Sequence, residues 1–197
     1  MTRALAAALV AWLLAASAAA GAAPAPQPAG WARLTDCRYV ESEANDGDSF
    51  HVHCGAGDFI VRLYFVDAPE SDLAFPDRVR EQARYFGITM DASVGAGKRA
   101  AAAVREALRQ PFLVWTRWAS AQGRSKLPRY YAFVEVSRHD LAEWLVAQGL
   151  ARPRGATVQH PLGEPARARL ARLRALEQEA REQRRGAWTT STERRKR

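Results

Sequence analysis

"FIVRLYFVDAPES", residues 59–71, opens as an almost wholly apolar run, the pattern of a strand buried on both faces, yet Arg62 sits in the middle of it. A guanidinium is costly to bury unless an anion meets it. The anions are close at hand: Asp67 follows Arg62 by five residues and Glu70 by eight, with Pro69 stiffening the chain between them. On this stretch alone two readings stay open. Arg62 forms a buried ion pair that serves the fold, or the arginine and the carboxylates form a site that meets an anion from outside.

Working outward, "CRYVESEA" (37–44) and "SFHVHC" (49–54) are two further strand-like runs. "NDGD" (45–48) and the glycine-rich "GAGD" (55–58) join the three into an expected antiparallel meander. Downstream, "GKRAAAAVREALRQ" (97–110) reads as a helix, and "PFLVWTRWA" (111–119) and "RYYAFVEV" (129–136) as strands. "HDLAEWLVAQGLAR" (139–152) has helical spacing of Leu141, Trp144 and Leu145, closed by Gly149. A last helix carries Leu170, Leu173 and Leu176 on one stripe. Trp115, Trp118 and Trp144 are assigned to packing. Five strands with interposed and trailing helices predict an α+β domain, a small closed barrel rather than a parallel sheet. There is no internal repeat.

"NDGDSF" (45–50) raises its own question, because Asn, Asp and Gly are ordinary turn residues, and a turn is the simplest account of Asp46 and Asp48. The chain is basic around it: 29 Lys and Arg against 21 Asp and Glu give a formal charge of +8, which favours polyanionic partners without naming one. Its 197 residues suit one well-filled domain, expected over 31–190. Residues 1–23, with Arg3, an apolar stretch and small residues at the end, read as a cleaved secretory signal rather than a retained anchor; its loss takes away Arg3 and leaves +7. A Pro- and Ala-rich lead-in (24–30) follows, and "ERRKR" closes a basic tail (191–197). The expected location is secreted or periplasmic. In an oxidising compartment Cys37 and Cys54 read as a disulfide pair. A zinc reading with His51 and His53 is set aside, because adjacent strand residues such as His53 and Cys54 face opposite ways.

Joined in order, Asp46-Gly47-Asp48, Arg62-Leu63, Val66-Asp67, Pro69-Glu70, "RYYAFV", Gly149-Leu150-Ala151 and the terminal "RGAW" resemble the staphylococcal-nuclease-like (thermonuclease) family over about Tyr39 to Trp188. The most specific stretch is R-L-x-x-V-D-x-P-E. The resemblance implies a five-stranded OB-type β-barrel with about three helices. It also implies that Asp48, Asp67 and the backbone carbonyl of Ala68 bind Ca2+, that Glu70 positions or deprotonates the attacking water, and that Arg62 grips the reacting phosphate. A second arginine belongs before the strand whose family pattern is G-R-x-L-A. Arg129 fits with Ala132 in register, although Pro128 replaces the glycine and a separate Gly123-Arg124 stands upstream. The stretch between Asp72 and Gly97 is longer than the family's minimal pattern.

The chemistry asks for these residue types on its own terms. Attack of water on an already anionic phosphodiester adds charge to the phosphoryl oxygens, which a cation held by oxygen ligands and two planar guanidiniums can meet. A carboxylate free of tight metal ligation can orient the water or take its proton. On this view "NDGDSF" is a turn and half of a metal site together. Arg124, Lys126, Tyr130 and Tyr131 are further candidates for contact with DNA or RNA, through flanking phosphates and stacked bases, against the simpler roles of solvated charge and strand packing. The expectation is a monomeric, calcium-dependent phosphodiester hydrolase without stable membrane association once the signal is removed. Two other readings stand beside it. One is a noncatalytic nucleic-acid-binding module of the same fold, and the other a disulfide-stapled envelope protein whose charges are only a salt-bridge network.

Overall fold

The structure is a computed structural model that describes residues 30–123 and 125–190; the expected signal (1–23), nearly all of the lead-in, the basic tail and Arg124 lie outside the described residues. Four helices and eight strands run in the order β1 (Ala32–Tyr39), β2 (Ser49–Cys54), β3 (Gly57–Leu63), β4 (Val66–Asp67), α1 (Pro76–Phe86), α2 (Met90–Ala107), β5 (Phe112–Ser120), β6 (Arg129–Val136), β7 (His139–Asp140), α3 (Leu141–Ala147), β8 (Arg152–Pro153) and α4 (Ala166–Glu182), ending in a 3-10 turn (Gly186–Thr190).

Hydrogen bonding links β3-β2-β1-β5-β6, and β3 then pairs with β6 in parallel, which closes the expected five-stranded barrel. The alternation in β2 shows why these residues form strands here: Phe50, Val52 and Cys54 point into the core, whereas His53 is exposed and bonded to Asp58 at 2.6 Å. His51 bonds to Asn45, so neither histidine gathers a metal set. Phe50, Phe65, Phe133, Leu63 and Val61 fill the interior, each worth about 1.5–3 kcal/mol on burial. Cys37 and Cys54 form a disulfide with their Cα atoms 4.4 Å apart, joining β1 to β2 one step beyond the Arg38–His53 pair.

Two expectations need correction. The first strand begins at Ala32 instead of Cys37, because its early half pairs with β5, and it ends at Tyr39. Residues 40–48 are consequently a loop, not part of a tight hairpin. Second, the helix expected from Gly97 starts at Met90, capped by Thr89, whose hydroxyl accepts from Ala92 N at 3.2 Å. The long 72–97 stretch holds α1 and the first turns of α2, so the described residues form four helices. Pro76 suits the first turn of α1, and Val79, Gln82, Ala83 and Phe86 are its buried face. Trp118 packs its ring edge-on against Phe59 and Tyr130 while staying 41% exposed.

A second, smaller apolar cluster explains the terminal "RGAW". Trp188 is 1% exposed and packs on Phe86 with ring centroids 4.7 Å apart, beside Tyr85 and Ala180. Ala187 N donates to Gly149 O at 2.9 Å, so the end of the chain is latched to the end of α3 and backs α1. Among the described residues no helix is long and apolar enough to cross a membrane.

Candidate active site

The loop from β1 to β2 divides labour between its two aspartates. Asp46 makes the turn: its Oδ1 accepts from Asp48 N at 2.9 Å and from Ser49 N at 2.6 Å. Asn45 pins the same loop by donating to Val40 O and accepting from His51 N. Asp48 is thereby turned inward, 2% exposed, where Oδ2 accepts from Ala68 N at 2.9 Å and Oδ1 lies 2.9 Å from Arg62 Nη1. A Cβ at Gly47 would stand 2.7 Å from the Cβ atoms of both Ala68 and Ala100, so only glycine lets α2 close over this loop.

Asp67 is brought back toward Arg62 by a bend at Phe65, a buried phenylalanine with φ of 69°, a conformation costing on the order of 1–3 kcal/mol. The bend is held from both sides, since Phe65 N donates to Ala156 O and its carbonyl accepts from Arg154 N. Asp67 Oδ1 then lies 3.3 Å from Arg62 Nη2 and 2.9 Å from Arg78 Nη2; Oδ2 meets Arg152 and, at 3.2 Å, Gln82 Nε2. Gln82, fully buried on α1, also donates to Ala68 O and accepts from Glu70 N, each at 2.9 Å. One side-chain amide thus fixes Asp67, Ala68 and Glu70 together. A Cβ at Gly97 would fall 2.2 Å from Glu70 O, so α2 presses on the same segment.

The electrostatics follow from this crowding. Burial pushes the Asp48 carboxyl well above the usual range, neighbouring Asp46 adds to this, and Arg62 opposes it. Burial also raises Glu70, against the pull of Arg78. For Arg62 burial works against the charge, but Asp48, Asp46 and Asp67 outweigh it and hold the guanidinium protonated.

Arg62, Glu70, Arg78, Asp46 and Phe75 line a cleft of about 440 Å³, and Arg129, at the start of the neighbouring strand β6, lines it too beside Gly123. Among the described residues no carboxylate pairs with Arg129: Nε donates to Gln122 O at 2.6 Å and Nη2 to Ala121 O at 3.3 Å. A neighbouring groove of about 430 Å³ shares Gly123 and Arg129 and adds Lys126 and Tyr130. Tyr131 lines neither; it stacks on Tyr64 at 5.0 Å. The two readings of Arg62 therefore coincide, since it is paired with both buried aspartates and also faces the cleft.

The staphylococcal nuclease homologue family pattern matches residues 60–190. The chain belongs to this family. No curated protein matches it. The matched span contains Arg62, Asp67, Ala68, Glu70 and Arg129, and it begins after Asp48. Membership in the staphylococcal nuclease homologue family points to nuclease-type action on nucleic acid.

Against the divalent cation that such a site implies, the donors agree in kind. Two carboxylates and a carbonyl are hard oxygen ligands suited to calcium. Each is also engaged within the protein: Asp48 by Arg62 and Ala68 N, Ala68 O by Gln82, and Asp67 by three arginines and Gln82. Among the described residues no three His, Cys, Asp or Glu side chains converge as a metal set, so a cation here would have to draw on the carbonyl and on water beside the two aspartates.

Four residues of this centre were not singled out from the sequence: Arg78, Glu81 and Gln82 of α1, and Arg152, which also forks onto Glu81 at 2.8 and 2.5 Å. A signal for Gln82 was present, since it falls on the apolar stripe of α1 with Val79, Ala83 and Phe86.

Proposed function

We propose that this protein is an exported, calcium-dependent nuclease that hydrolyses phosphodiester bonds of DNA or RNA with little sequence specificity. One observation carries the reading: Arg62, Glu70 and Arg129 face a single cleft, with Asp48 and Asp67 directly behind Arg62. Asp48, Asp67 and the Ala68 carbonyl are the groups that would hold calcium, which when bound supplies Lewis-acid stabilisation of charge on the phosphoryl oxygens. Arg62 and Arg129 donate hydrogen bonds to the non-bridging oxygens. Glu70, kept out of the buried pair and facing the cleft, orients the attacking water and accepts its proton; its raised proton affinity suits that role. These groups address phosphate, not base edges, in keeping with low sequence specificity. The signal-like N-terminus and the Cys37–Cys54 bond support export.

The test is incubation with plasmid and with RNA, in calcium and in chelator. Turnover is expected only with calcium, and Glu70→Gln is expected to slow it by at least about a hundredfold while leaving nucleic-acid binding largely intact. Equal rates in chelator and calcium would overturn the calcium assignment. Binding without any cleavage would favour the noncatalytic module.

A further inference from the structure

The three arginines on Asp67 are held very differently. Arg152 is 3% exposed, forks onto Glu81, donates through Nε to Asp67 Oδ2 with Nη2 2.8 Å from the same oxygen, and lies over the Tyr85 ring. Arg62 belongs to β3 and is committed to Asp48 as well. Arg78 stands in the first turn of α1, a helix anchored by its buried Val79, Gln82, Ala83 and Phe86, yet its own side chain is 48% exposed and lines the cleft. A single nitrogen, Nη2, bridges Asp67 Oδ1 at 2.9 Å and Glu70 Oε1 at 2.8 Å. The expected cation ligand and the expected base therefore share one half-exposed charge. Its release leaves Arg62 and Arg152 still on Asp67.

We propose that Arg78 is an exchangeable internal cation of this site, in competition with calcium for Asp67 Oδ1 and, once released, a third guanidinium for the phosphates of the nucleic acid in the cleft. The inference rests on the calcium-dependent nuclease reading for the identity of the two ligands. The physical basis is exclusion and charge. A cation 2.3–2.6 Å from a carboxylate oxygen and a guanidinium nitrogen at hydrogen-bond distance from that oxygen repel one another, and the weakly buried partner is the one that can leave. A phosphate entering the cleft draws Arg78 outward and relieves Asp67 Oδ1 of its nearer guanidinium, so nucleic-acid binding and calcium binding strengthen each other through this residue.

Titration calorimetry with calcium alone on the full chain tests the competition. Arg78→Ala is expected to bind calcium at least about tenfold more tightly than the parent, the effect of removing one adjacent positive charge. Arg78→Lys, which keeps the charge, is expected to remain within a few fold of the parent. Arg80→Ala, a half-exposed arginine of the same helix paired with Asp77, is expected to change nothing. In chelator, Arg78→Ala is expected to weaken binding of a short single-stranded oligonucleotide several-fold by fluorescence anisotropy. Equal calcium affinity of Arg78→Ala and the parent, including no binding by either, overturns the proposal. Plasmid cleavage by the parent is scored separately: calcium-dependent cleavage alongside unchanged calcium affinity would sink the exchange and leave the nuclease reading standing.

Discussion

Arg62 and Arg129 face the same cleft from paired strands, β3 and β6, but are held in place by different means. Arg62 is clamped by two buried carboxylates, which in turn are fixed by Ala68 N, Gln82 and Arg152. Arg129 rests on the main-chain carbonyls of Ala121 and Gln122 at the edge of a polar loop, with Gly123 close against its guanidinium. One wall is therefore part of the core's charge balance, and the other is a rim that can be altered without disturbing what lies beneath. Fold and chemistry are coupled on the first wall and separable on the second.

The largest effect is expected where they are coupled. Arg62→Ala strands Asp48, whose only ion-pair partner among the described residues is Arg62, and should cost about 3 kcal/mol of stability as well as most of the activity. Arg129→Ala should leave the melting temperature close to that of the parent while cutting the rate constant at saturating substrate by about a hundredfold, the scale of losing one preorganised donor to the developing charge. Thermal melts beside single-turnover kinetics separate the two. Equal destabilisation by both substitutions would break the comparison.

This asymmetry also sets how far the site could be read from the sequence. Arg62, Asp67 and Glu70 lie within nine residues, so their spacing exposed them, and Asp48 joined them through the order of motifs. The support around them comes from far along the chain. Arg152 reaches Asp67 across 85 residues and Glu81 across 71. Arg78 and Glu81 look like the solvated face of a helix until β4 is placed beside them. Arg169 misleads in the same way: it reads as one charge among many in α4, yet it is buried over Phe133 with Asp140, Glu143 and Glu164 about it. The bend at Phe65 was equally hidden, because the apolar run continues through it with no glycine to mark a left-handed residue. Periodicity identifies the strands; it carries no information on which distant charge will neutralise a buried one.

The disulfide extends the contrast to the floor of the first wall. Cys37 and Cys54 tie the strands on either side of the Asp48 loop, and closing this loop should contribute roughly 2–4 kcal/mol. Denaturant titration with and without reductant measures it, and a Cys37→Ser, Cys54→Ser pair should match the reduced protein. If activity at saturating substrate survives reduction below the melting temperature, the loop is held by Asn45 and Asp46 alone, which would sharpen the view that this wall is overdetermined.

On the rim, Lys126 shares a groove with Arg129 and Tyr130 but does not line the cleft of Arg62 and Glu70. Lys126→Ala should weaken nucleic-acid binding several-fold and lower the dependence of log affinity on log salt by about one, with the rate constant at saturation unchanged. A fall in the rate constant comparable to that of Arg129→Ala would move Lys126 into the chemical site and enlarge the second wall.

The smallest expected effect lies away from both walls, at His160. Its ring meets Phe133 at a centroid distance of 4.6 Å, and its Nδ1 accepts from Leu162 N at 3.2 Å, so the neutral ring is the one that fits. Burial lowers its proton affinity, the nearby Arg169 adds to this, and Asp140, Glu135 and Glu164 oppose it only in part. The folded state therefore binds a proton less readily than the unfolded chain, whose histidine titrates near 6.5. The contribution to stability is fully present above that pH, declines as pH falls through it, and levels off only when the folded-state ring is protonated as well. His160→Gln should flatten this part of the stability-versus-pH curve between about pH 7 and 5 without touching the kinetics assigned to either wall. Chemical denaturation across that range checks it. A slope that steepens on substitution would mean that Asp140, Glu135 and Glu164, and not Arg169, dominate the field at the ring.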